Sequence, residues 1–112
     1  MCSRNQLNKL TDDIVKEYRR VYGKAIDSIL LFGSYARGDE DEESDIDVVA
    51  IVHGERLMLQ EQLKSIWDSS AEIGLENDVV ISPAVIPYTE YTKYKDILPY
   101  YRNISKEGLV IG

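Results

Sequence analysis

Ile29-Leu30-Leu31-Phe32-Gly33-Ser34-Tyr35-Ala36-Arg37-Gly38, a short acidic spacer, and then Ser44-Asp45-Ile46-Asp47-Val48-Val49-Ala50-Ile51-Val52 form the segment on which the fold turns. Ile26 to Phe32 reads as a strand, with the run Ile29-Leu30-Leu31-Phe32 buried on both faces, and Gly33 ends it in a turn. A second strand follows from about Asp45 to Val52, again with a continuous apolar core. Side chains at i and i+2 of a strand share one face and stand about 6.6 Å apart along it. Asp45 and Asp47 are therefore expected side by side, with Ile46 between them pointing into the core.

Two carboxylates fixed on one face at a strand start are costly unless a cation neutralises them. Magnesium does so with one or two carboxylates plus substrate phosphate oxygens. Two such ions, about 3.5–4 Å apart, stabilise attacking and leaving oxygens in phosphoryl transfer. A glycine at position 33 lets the backbone approach a ligand closely. The turn after it can aim N–H groups and the Ser34 hydroxyl at phosphates, and Arg37 can add a cationic hold. Asp78 is expected as a third carboxylate, at the start of a third strand, completing a metal site and helping to deprotonate an acceptor hydroxyl. Glu76 competes for that role, because strand register is not readable from one sequence.

Outward from this segment, Leu7, Leu10, Ile14, Val15, Tyr18, Val21 and Tyr22 recur at helical spacing, and Gly23 is a natural stop. Leu59, Leu63, Ile66, Trp67 and Ile73 mark a second long helix ending near Gly74. The third strand is expected from about Asp78 through Ile81, with Pro83 ending it or placing it at an edge. Beyond Pro87 a tyrosine-rich stretch reads as two helical pieces split by Pro99, and Leu109-Val110-Ile111 can return to the sheet. The predicted architecture is α/β: a small mixed sheet packed by helices.

The chain has 112 residues, enough for one domain spanning 1–112, with a net charge of −7 that argues against direct nucleic-acid binding. No apolar run nears the roughly 20 residues that span a bilayer, and the first residues lack a signal-peptide core, so a cytoplasmic location without membrane contact is expected. Cys2 reads as an incidental thiol, His53 as a surface residue, and the eight tyrosines mainly as packing and surface residues. A calcium-binding loop fails because Ser44 and Ala50 stand where Gly and Glu are needed, counting from Asp39. A Walker A loop fails because Asp39 follows Gly38.

At Gly33-Ser34-Tyr35-Ala36-Arg37-Gly38 and Ser44-Asp45-Ile46-Asp47-Val48 the chain resembles the DNA polymerase beta-type nucleotidyltransferase superfamily. Within it the sequence is most similar to the minimal nucleotidyltransferase branch, the antitoxin half of HEPN–nucleotidyltransferase toxin–antitoxin pairs. Leu98-Pro99-Tyr100-Tyr101-Arg102-Asn103-Ile104 and Lys106-Glu107-Gly108 are similar to that branch too. The resemblance implies the nucleotidyltransferase fold, two magnesium ions, and transfer of AMP from ATP or another nucleoside triphosphate to a tyrosine hydroxyl of a HEPN ribonuclease toxin. Other readings are an antitoxin that neutralises by contact alone and an enzyme with a small-molecule acceptor. The spacer departs from the family in its density of acid, Asp39-Glu40-Asp41-Glu42-Glu43, beside the expected site of an anionic substrate.

Overall fold

A computed structural model of the protein describes residues 4–38 and 45–112. Cys2 and the acidic run at 39–43 lie outside the described residues. The chain runs α1 (Arg4–Tyr22), β1 (Ile26–Phe32), α2 (Ser34–Arg37), β2 (Ile46–Val52), α3 (Arg56–Asn77), β3 (Ile81–Pro87), α4 (Tyr88–Tyr94), α5 (Pro99–Glu107) and β4 (Leu109–Val110). The sheet order is β3-β2-β1-β4. β1 is antiparallel to both β2 and β4, whereas β2 and β3 run parallel across the α3 crossover. The sheet is thus mixed and helix-covered, as the hydrophobic pattern predicts.

Strand alternation sorts the core into two layers. Ile46, Val48, Ala50 and Val52 of β2 pack with Ile29 and Leu31 of β1 beneath α1 and α3. Val49 and Ile51 face the other side, with Leu30, Ile86 and Ile104. Tyr18 of α1 is fully buried, and its hydroxyl donates to the carbonyl of Ala84 at 2.9 Å while accepting from the Ala84 N–H at 3.1 Å. Burial pushes this phenol far above its ordinary pKa, so it stays neutral and pins α1 to β3.

Two expectations need correction. The third strand begins at Ile81, not Asp78: α3 continues past Gly74 to Asn77, and Asp78 is its left-handed C-cap, with φ 55° and ψ 45°. The Val79 N–H then donates to the Gly74 carbonyl at 2.9 Å, closing the helix end before the strand starts. Pro83 lies mid-strand, and β3 is an edge strand of the sheet, one of the two outcomes expected for it. The Ile46 N–H donates to the Val80 carbonyl at 2.8 Å, and Ile46 pairs with Ile81. In a parallel ladder this turns the even-numbered backbone groups of β3 toward β2 and leaves Pro83 and Pro87 on the open edge. Neither missing N–H is then a ladder donor. Trp67, grouped with the core positions of α3 by its spacing, is instead 50% exposed.

Candidate functional site

The end of β1 and the start of β2 are held together by antiparallel pairing, with Phe32 opposite Asp47. Cross-strand partners project from the same face, so Phe32 and Asp47 are neighbours on the side that carries α5. Ile46 is fully buried on the opposite face, as expected, and Asp45 is exposed just before the strand.

Gly33 suits this place for two reasons. Its φ of 80° is one that L side chains rarely adopt, and a Cβ at this position would meet Asp47 Oδ2 at 2.6 Å. The glycine does more than turn the chain toward a ligand: it makes room for the carboxylate itself. Its carbonyl accepts from the N–H groups of Ala36 and Arg37, each at 3.1 Å, and so closes the turn into α2. Tyr35, buried, anchors that turn in the core.

Burial holds the Asp47 carboxyl above the usual carboxylate range, and the negative charge of Asp45 pushes it further in the same direction. A partly buried carboxylate with a like-charged neighbour is an electrostatically frustrated arrangement, which a divalent cation relieves. The donor set fits a hard ion with oxygen ligands.

The structure does not bring the other acids to this pair. Among the described residues no three His, Cys, Asp or Glu side chains group closely enough to hold a metal ion, so Asp78 does not join Asp45 and Asp47. Its place at the α3 cap explains why: the helix end takes up the residues that would have extended the strand. Glu76 lies inside α3 and is exposed. Across the parallel pair, the residue opposite Asp47 is Ser82. Arg37 ends α2, exposed, with Nη1 3.4 Å from Glu107 Oε2 of α5. The Ser34 hydroxyl lies outside what the structure describes. His53 is exposed, its ring 4.1 Å from that of Tyr88.

One neighbour of the site was not singled out from the sequence. Tyr100, in the first turn of α5, meets Phe32 edge-on with ring centroids 5.9 Å apart, and it is 49% exposed. Its phenol is held above the ordinary value by burial first and then by the charge of Asp47. Tyr101 lies 5.9 Å beyond it, centroid to centroid. The only sequence signal was Pro99, which sets the start of α5 at N1 and hence aims its first turn. Nothing local placed that turn over β1.

The family model for the nucleotidyltransferase domain matches residues 11–111. The chain belongs to this family. The nucleotidyltransferase is similar to two proteins of Methanocaldococcus jannaschii, each named a "putative protein adenylyltransferase". One is 39% identical over 93 residues, covering 80% of this chain and 92% of the relative. The other is 32% identical over 103 residues, covering 92% and 95%. A solved structure described as a toxin-antitoxin with AMP-PNP superposes with a TM-score of 0.57 at 17% identity, covering 89% of this chain and 70% of that one. That likeness speaks to the fold. The family assigns nucleotidyl transfer, and nucleotidyltransferases generally use a divalent metal. No described helix of the enzyme is long and apolar enough to cross a membrane.

Proposed function

We propose that this nucleotidyltransferase transfers AMP from ATP to a hydroxyl of a partner protein, and that the acceptor is a tyrosine of a HEPN-type ribonuclease toxin. The observation that carries the site assignment is the fit of the Asp47 carboxylate against Gly33, beside Asp45. The acceptor is supported by the naming of the M. jannaschii relatives and by the toxin–antitoxin neighbours, together with the resemblance of Leu98–Gly108 to the antitoxin branch.

Asp45 and Asp47 are the metal-holding and catalytic pair of this reading. Bound there with phosphate oxygens, magnesium would polarise the α-phosphoryl group and neutralise developing charge on the leaving pyrophosphate. The described carboxylates provide for one such ion; a second would rest on substrate oxygens. With glycine at position 33, the backbone of the Gly33-Ser34 turn can approach phosphate oxygens closely. Arg37 can exchange Glu107 for a phosphate, because an ion pair about half exposed on both sides holds weakly. Phe32 and Tyr100 wall the site with aromatic surface suited to the base or ribose. In the transfer, the acceptor oxygen bonds to the α-phosphorus and the bond to pyrophosphate breaks. The hydroxyl proton leaves to water on the exposed Asp45 side.

The test is incubation with alpha-labelled ATP, magnesium and the product of the neighbouring gene. Label should appear on that protein and vanish with Asp45→Asn or Asp47→Asn. An unlabelled yet fully inhibited neighbour would refute transfer and favour neutralisation by contact.

A further inference from the structure

Along the open edge of the sheet, the C-terminal half of α3 and the approach to β3 enclose an apolar groove of about 380 Å³, lined by Trp67, Ser70, Ala71, Leu75, Val79 and Val80. Trp67, Leu75 and Val80 are 50%, 84% and 60% exposed. Trp67, Ala71 and Leu75 follow one another at four-residue intervals, forming one stripe on the helix. Large apolar residues gathered in one groove mark an interaction site more often than scattered ones do. Ser70 adds a polar point within it: the residue is 1% exposed, lines the groove, and its Oγ has no hydrogen-bond partner among the described residues.

A second stripe runs beside the first. Asp68, Glu72 and Glu76 are exposed at the same four-residue interval, and none is paired with a cation among the described residues. Like charges at that spacing repel. The last turn of α3 carries no basic residue, so these acids also stand where a helix favours positive charge. The missing cations are those an occupant would bring. A second copy of a chain with net charge −7 would bring more acid. A strand added to the edge is disfavoured as well, because Pro83 and Pro87 face outward and the Val85 carbonyl already accepts from Gln60 Nε2 at 3.4 Å.

We infer that this groove docks a basic amphipathic helix of the protein acceptor, its apolar face on Trp67, Leu75 and Val80 and its lysines or arginines against Asp68, Glu72 and Glu76. The inference rests on the protein-acceptor reading above. Val80 links the groove to the site, since its carbonyl accepts from Ile46, the residue between the two aspartates. A partner seated here reaches the same end of the sheet as Asp45 and Asp47.

Trp67 is the sole tryptophan of the chain, so its emission reports occupancy of the groove directly. The probe is a leucine–lysine peptide of about 15 residues, the length at which helices become marginally stable alone. It should shift Trp67 emission to the blue, and Leu75→Asp or the pair Asp68→Lys, Glu72→Lys should weaken binding at least tenfold. Asp47→Asn should bind the peptide like the parent, and Leu75→Asp should retain binding of an ATP analogue, which keeps failure of the groove distinct from failure of the site. Equal binding of a scrambled peptide without an apolar face would overturn the inference, as would indifference to Leu75→Asp. A blue shift that grows with protein concentration and needs no peptide would overturn it in favour of self-association.

Discussion

β2 and β3 leave the same end of the sheet in parallel, and both are introduced by similar sequence, Asp45-Ile46-Asp47-Val48-Val49 against Asp78-Val79-Val80-Ile81. Their beginnings differ entirely. At β2 Asp47 lies within the strand, opposite Phe32 and against Gly33. At β3 the chain arrives from the last turn of a 22-residue helix, and the aspartate is spent on a left-handed cap. An aspartate before a valine run thus has no fixed role. Whether it falls inside a strand or at a helix end decides whether the carboxylate faces a site or caps a helix.

The sharpest way to break this contrast is to neutralise each side in turn. Asp45→Asn and Asp47→Asn should each lower transfer more than about 100-fold, the upper end of what loss of an outer-shell metal partner costs. Single-turnover labelling measures this; a residual rate within tenfold of the parent would remove the pair from the chemistry. Asp78→Asn should leave the rate unchanged.

Gly33→Ala tests the close fit at the start of β2. Strain at φ 80° costs about 1–3 kcal/mol, and the contact with Asp47 Oδ2 adds to it. Urea unfolding should show the loss, with activity falling as Asp47 is displaced.

Tyr100→Ala probes the aromatic wall. Stacking of a base is worth about 1–3 kcal/mol, so KM for the nucleotide should rise roughly fivefold or more with kcat little changed. A fall in kcat alone would place Tyr100 in positioning the acceptor instead.

The two aspartates should also differ in their effect on stability. The pKa of Asp47 is raised on folding, so ionising it costs stability as pH rises from the ordinary carboxylate value through the raised one. Asp47→Asn should therefore raise the melting temperature of the metal-free protein at neutral pH, an advantage that fades once pH falls below the ordinary range. At the cap, Asp78→Gly should stabilise by about 1 kcal/mol, since glycine meets no penalty in the left-handed region. Thermal melts across pH distinguish the two cases.

Most of the fold was legible in the sequence because strand and helix periods are local. The stretch Ile26 to Phe32, the split at Pro99 and the return of Leu109-Val110 to the sheet all follow from spacing and punctuation. So does the turn at Gly33. Tertiary structure alone decided where a helix yields to a strand at Asp78, and so that this acid caps α3 instead of joining the paired carboxylates. It also set Tyr100 over Phe32 and left Trp67 half open, although its spacing matches that of buried residues. These outcomes depend on how α3 and α5 lie across the sheet. A side chain's periodicity says which way it faces its own element, whereas its neighbours are chosen by the packing of elements far apart in the chain.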